Sequence, residues 1–166
     1  TEAEIEDLRQ LMAERDVWRN LGRMEQPKKG KFLLLFQVGK YAAHFIRYKK
    51  SDRIGFLLLD QGRIKSSGRV EVDIAISDSN HRKKGASMIA MTHLFDEWLL
   101  SGRCDEFWGW IDIGNTASMK MVESLGIPIV KRGQADGNMV DGKVDTVELV
   151  MNAQIWRPIR SSLKLS

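Results

Sequence analysis

Between residues 70 and 98 the hydrophobic period of the chain changes from two to about 3.6 across a single glycine. Val70, Val72, Ile74 and Ile76 alternate with Glu71, Asp73, Ala75 and Ser77, which puts the aliphatic side chains on one face of a strand. A polar stretch, Asp78-Ser79-Asn80-His81-Arg82-Lys83-Lys84, then ends at Gly85. Beyond it Met88, Met91, Phe95 and Trp98 recur at helical spacing and predict a helix that stops near Gly102. A strand that runs through a basic loop into a helix points to folds in which helices pack on a sheet.

The flanking segments extend this pattern. Ile5, Leu8, Leu11 and Met12 share one face of an N-terminal helix opened by acids and closed around Trp18-Arg19-Asn20-Leu21-Gly22. Residues 27–40 hold a short apolar run, read here as helix. Residues 42–48 and 53–60 predict an antiparallel hairpin around Lys49-Lys50-Ser51-Asp52, and 61–68 a polar loop. Residues 107–113 read as a strand and 116–125 as a short helix ended by Gly126. Residues 127–131 and 144–151 form a closing pair of strands around a Gly/Asp-rich loop, leaving a tail from about 153 to 166. With no repeat, low-complexity tract or linker, a single mixed α/β domain over residues 1–166 is expected.

Composition narrows the class. A chain of 166 residues, 43% of them hydrophobic, can bury a core without staples and is too apolar for disorder. Its longest apolar run, Phe32 to Phe36, falls far short of the roughly 18 residues that a membrane span needs, so no membrane partner is expected. The single cysteine, Cys104, excludes an internal disulfide and a zinc ribbon, and a reducing, cytoplasmic compartment follows. No secretion signal opens the chain, although it begins with Thr1, so a start upstream is expected. The net charge of +4 points to an anionic partner, with solvated surface charge as the competing reading, and it is unevenly spread. Residues 28–53 carry eight bases and one acid, whereas residues 1–16 carry six acids and two bases.

The joint at Gly85 offers chemistry of its own. Backbone N–H groups at a helix start lack intrahelical partners and form a ready anion site. Gly85 lets a phosphate approach the backbone, small Ala86 and Ser87 keep the approach open, and Arg82, Lys83 and Lys84 add positive charge. Neither the Walker A spacing nor the three-glycine dinucleotide fingerprint is present. A basic helix start that binds nothing is the competing explanation.

The order of motifs resembles the GNAT superfamily of acetyl-CoA-dependent N-acyltransferases. That family's R/Q-x-x-G-x-G/A loop has its counterpart in Arg82-Lys83-Lys84-Gly85-Ala86-Ser87, with Ser at the last position. Its second signature is similar to the segment from Asn115 through Ser118, Glu123 and Leu125-Gly126-Ile127, and Ile54-Gly55-Phe56 is similar to its third strand. The likeness covers residues 4–150. It implies a mostly antiparallel mixed sheet flanked by helices, with a V-shaped splay between strands 70–77 and 107–113. Acetyl-CoA would lie in that splay as acetyl donor, its pantetheine amides against Ile74, Ala75 and Ile76 and its pyrophosphate on the amides of residues 83–87. Asn115 would bond the pantetheine arm, with Ser118 close by. Local chemistry offers another role for each, Asn115 as a helix N-cap and Ser118 as an exposed first-turn residue. The family's usual first strand has no counterpart ahead of the N-terminal helix, so the expectation is either that the sequence is trimmed ahead of Thr1, or that the sheet is one strand short or takes a strand from elsewhere.

Transfer to an amine requires a neutral nitrogen, and a carboxylate can remove its proton directly or through water. Glu71 and Asp73 project from one strand face, and the family's usual glutamate register falls on Val72 between them; Glu71 is preferred. The tyrosine that many relatives place seven residues after the Asn is here Val122, so water or Ser118 would protonate the departing thiolate. That pattern, with Trp18-Arg19-Asn20, Gly142 and Asp145, is similar to the branch acetylating protein N-termini and nucleotide-linked amino sugars. The acceptor is then a small-molecule or peptide amine, and the protein a monomer or homodimer. A CoA-binding module without catalysis is the alternative, motivated by the missing tyrosine. Nucleic-acid binding through residues 28–53, where Phe32, Phe36, Tyr41 and Phe45 stand among bases, is a third reading.

Other constellations carry less. His44, His81 and His93 lack ligand spacing, and Asp136, Asn138 and Asp141 recur as in a calcium loop but with Val140 at a ligand position. Ser79 and His81 have no evident orienting carboxylate, and Cys104 lacks an electropositive setting. Trp108 and Trp110 share one strand face, as core or as the wall of an acceptor groove.

Overall fold

Every residue of the run Ile54-Gly55-Phe56-Leu57-Leu58-Leu59 is buried, because its strand is covered on both faces. Phe56 and Leu58 pack on one side, with Leu8, Met12 and Phe32; Leu57 and Leu59 pack on the other, with Phe95, Phe107 and Trp156. These two apolar layers define the architecture. The computed structural model describes residues 1–14, 17, 28–48, 52–62, 68–136 and 143–163. Trp18-Arg19-Asn20-Leu21-Gly22, Lys49-Lys50-Ser51, most of the 61–68 loop, and Asn138, Val140, Asp141 and Gly142 lie outside them.

Helix α1 is Glu2–Ala13, with Thr1 and Glu4 forming a reciprocal capping box, and α2 is Lys29–Gln37. Strands β1 (Tyr41–Tyr48), β2 (Asp52–Asp60) and β3 (Arg69–Ile76) form an antiparallel meander. Helix α3 (Ala86–Trp98) crosses over to β4 (Glu106–Asp112), which lies parallel to β3. Helix α4 (Thr116–Ser124), β5 (Ile129–Asp136), β6 (Lys143–Asn152) and α5 (Ala153–Ser162) complete the chain. The six-stranded mixed sheet has the order β1-β2-β3-β4-β6-β5, with β1 at one edge.

The elements match the expected mixed α/β fold, with one correction. The stretch from 153, expected as a tail, is helix α5. Asn152 Oδ1 caps it by accepting from the Ile155 amide at 3.0 Å. Trp156 is fully buried and donates through Nε1 to Asp96 Oδ1 at 2.8 Å, while Arg160 Nε reaches Asp96 Oδ2 at 2.8 Å. That link fixes α5 to α3. Gly55 is required by close approach, since a β-carbon there would lie 2.2 Å from the Ala75 carbonyl oxygen.

Candidate functional site

β3 and β4 separate after three paired positions. They are matched only at Arg69↔Glu106, Val70↔Phe107 and Glu71↔Trp108, yet β3 continues to Ile76 and β4 to Asp112. The shared end is fastened twice: the Gly68 carbonyl accepts from the Asp105 and Glu106 amides at 2.9 and 3.3 Å, and Arg69 Nε pairs with the Glu106 carboxylate. Beyond it β3 keeps β2 as neighbour through Ile76, and β4 keeps β6 through Asp112. Two inner strand edges therefore face each other across a gap.

The gap encloses a cleft of about 120 Å³. Backbone groups alternate in direction along a strand, and the Ala75 carbonyl lies against Gly55 of β2. By that alternation the N–H and C=O of Val72 and Ile74 face the gap. Ile76 faces it too, but its carbonyl accepts from Arg82 Nε at 2.9 Å. Of the three residues expected to meet an extended amide chain, Ile74 is thus the one well placed, and the backbone of Ala75 is turned to β2.

Side chains divide by the same alternation. Val70, Val72, Ile74, Phe107 and Ile111 join the core beneath α3, α4 and α5. Glu71, Asp73, Trp108, Trp110 and Asp112 have the opposite parity, share the face that carries α1 and α2, and line the cleft. Glu71 and Asp73 are both half-buried, and Glu71 stands opposite Trp108. The groove-wall reading of Trp108 and Trp110 is the one this placement supports. Asp112 and Gly109 were not singled out by the sequence; the parity of Asp112 with Trp108 and Trp110 carried a signal, but only the strand separation makes it meaningful. Gly109 sits where the Val72 carbonyl oxygen would be 3.7 Å from a β-carbon.

On the opposite wall Asn115 and Ser118 enter the cleft together. Asn115 Oδ1 accepts from the Ser118 amide at 3.2 Å, so the capping role is realised. The cap uses only the oxygen, and the carboxamide nitrogen carries two further donors. Val122, 3% exposed, lines the cleft seven residues after Asn115, and brings no hydroxyl.

At the far end of β3 the chain turns into α3. Lys83 and Gly85 both adopt left-handed backbone, with φ of 62° and 79°. Lys83 carries a side chain in that region, which strains it and marks a shaped loop. Gly85 is the N-cap of α3 and supplies no side-chain cap, so the first-turn amides, including those of Ala86 and Ser87, are offered outward. A β-carbon on Gly85 would meet nothing within 4 Å, and Lys83 and Lys84 are exposed beside it. The loop fits a diphosphate: open space over a glycine, helix-start amides and two lysines. Arg82 is used differently from its neighbours. Its Nε and one terminal nitrogen donate to the Ile76 and Ser77 carbonyls at 2.9 and 3.1 Å, tying the loop to β3.

The loop stem holds an orienting carboxylate that the sequence reading missed. Asp78 accepts from the Asn80 amide at 2.8 Å and faces His81 Nδ1 at 2.7 Å. The Asn80 N–H first, and His81 second, hold the Asp78 carboxyl below its usual range. Among the described residues no group of His, Cys, Asp and Glu is disposed to hold a metal ion. No helix there is long and apolar enough to cross a membrane.

Compared by sequence, the chain matches no protein-family model and no curated protein. Its fold is that of known N-acetyltransferases. Spermidine N-acetyltransferase from Vibrio cholerae, solved with CoA and spermine, superposes with a TM-score of 0.80 at 11% identity, covering 94% of each chain. The aminoglycoside acetyltransferase AAC(6')-Ib, solved with coenzyme A, superposes with a TM-score of 0.70 at 13% identity, covering 96% of this chain and 95% of that one. Both likenesses span nearly the whole of each chain and concern the fold.

Proposed function

We propose that the protein is an N-acetyltransferase that moves the acetyl group of acetyl-CoA to a primary amine. The separation of β3 from β4, closed at Arg69–Glu106 and ending at the glycine loop, carries this reading. An extended amide chain ending in a diphosphate fits that gap: Ile74 offers strand-edge hydrogen bonds, and residues 83–87 offer amides and charge. Fold neighbours solved with CoA support the same reading.

Donor and acceptor would approach from opposite sheet faces. The Asn115–Ser118 wall receives the pantetheine arm, and the Glu71–Asp73 face receives the amine. Glu71, beside the closed end, takes the proton from the attacking ammonium, with Asp73 next to it. The neutral nitrogen then attacks the thioester carbonyl, forming the C–N bond as the C–S bond breaks. The thiolate leaves with its electron pair, and the proton that the new amide nitrogen sheds reaches it through water or the Ser118 hydroxyl. Cys104 is buried away from an electropositive setting, so direct attack is favoured over an acetyl-enzyme.

The acceptor is best taken as a small amine. Acetyl-CoA and a panel of primary amines, followed by thiol release and product mass spectrometry, test the reading. Amine-dependent release with an N-acetylated product is expected; absence of product from every amine, peptide N-termini and amino sugars included, would overturn it. Val122 in the cleft favours a second reading, a CoA-binding module without turnover. Saturable acetyl-CoA binding without amine-dependent release would select that one.

A further inference from the structure

We propose that the acceptor carries a second positive charge besides the amine that reacts, and that Asp112 is the residue that selects it; this rests on the amine-acetylation reading above. The protein has a net charge of +4, yet the described residues lining the cleft include three acids, Glu71, Asp73 and Asp112, and no Lys, Arg or His. The polarity reverses over the length of β3, from Glu71 and Asp73 near the closed end to the lysines of the loop at Gly85. A cleft so lined draws in cations and repels anions.

The three acids are not equivalent. Glu71 and Asp73 stand near the closed end, beside the point where the strands part. Asp112 is four residues beyond Trp108 on β4, about 13 Å along the strand from the position opposite Glu71. A carboxylate that far away cannot share the proton of the attacking nitrogen, but it can hold a second cationic centre of the same molecule. Trp110 has the same parity and lies between them, and the face of an indole attracts ammonium groups. Asp112 is also fixed in place, since its Oδ1 accepts from the Gly114 amide at 2.7 Å in the turn after β4. A di- or polycationic amine satisfies this arrangement. A nucleotide-linked amino sugar brings a diphosphate into the acidic cleft and is disfavoured.

The test compares α,ω-diamines with n-alkylamines of the same carbon count, at saturating acetyl-CoA, by thiol release. The expected result is a kcat/KM advantage for diamines of about tenfold or more, shrinking as salt rises. In Asp112→Asn that advantage falls about tenfold, mainly through the diamine KM, while the KM for acetyl-CoA is unchanged. The asparagine oxygen can still accept from Gly114, and the wild-type comparison stands whether or not the variant folds. Equal efficiency for mono- and diamines, an advantage that survives Asp112→Asn, or preference for a nucleotide-linked amino sugar would each overturn the proposal. Failure of every amine to turn over would instead overturn the acetylation reading beneath it.

Discussion

Glu71 and Asp73 share one strand face and one cleft, so substitution separates their roles. Glu71→Gln keeps shape and hydrogen bonding but removes the base; turnover is expected to fall about 100-fold or more with little change in acetyl-CoA affinity. Asp73→Asn is expected to cost less. Steady-state kinetics of both variants decide, and near-normal turnover in both would remove the base assignment. Cys104 is the opposite case, a group excluded from chemistry by its surroundings. Burial, and secondarily the Asp105 charge, push its thiol up to about 12 from 9.0. Because the folded-state value is the raised one, its contribution to stability is full below about pH 9 and lost progressively as pH rises toward 12. Native protein at neutral pH should resist iodoacetamide, and activity should survive the treatment. Rapid alkylation at pH 7.5 or so would show that the buried thiol is reachable.

At the scale of elements, function depends on where two strands stop pairing and on what holds the helices against them. Trp156 is fully buried between α3 and the sheet and is tied to Asp96. Trp156→Ala is expected to destabilise the fold by about 3–5 kcal/mol. Denaturant unfolding measures this, and a change below about 1 kcal/mol would show that α5 is dispensable. This element was not legible in the sequence. Pro158 and the bases Arg157 and Arg160 disguised it, although Ile155, Trp156 and Ile159 form a helical stripe. β3, the loop and α3 were legible, because period two, period 3.6 and the glycine between them are local signals. The end of β3–β4 pairing was not. It depends on contacts between residues 37 apart, such as Arg69 with Glu106, for which no local pattern exists. The resemblance implied a splay there, and the register supplies its position. The same holds for Asp112, whose parity could be read in advance but whose cleft could not.

Over the whole molecule the charge is distributed so that the cleft lining is acidic although the net charge is +4, and the glycine loop beyond β3 is basic. Lys83 and Lys84 flank the glycine loop, while Glu71, Asp73 and Asp112 line the cleft. Acetyl-CoA affinity should therefore weaken as ionic strength rises, and Lys84→Glu should lower it about tenfold while leaving the unfolding temperature in place. A KM for acetyl-CoA independent of both salt and this substitution would count against the loop as the diphosphate site. The central claim is that the gap between β3 and β4 and the Gly85 loop together receive acetyl-CoA. Isothermal titration calorimetry of the protein with acetyl-CoA tests it most directly. The account predicts saturable binding of one acetyl-CoA per chain, lost in Gly85→Trp, whose side chain fills the open space over the loop; absence of binding to the wild type, or undiminished affinity in Gly85→Trp, would contradict it.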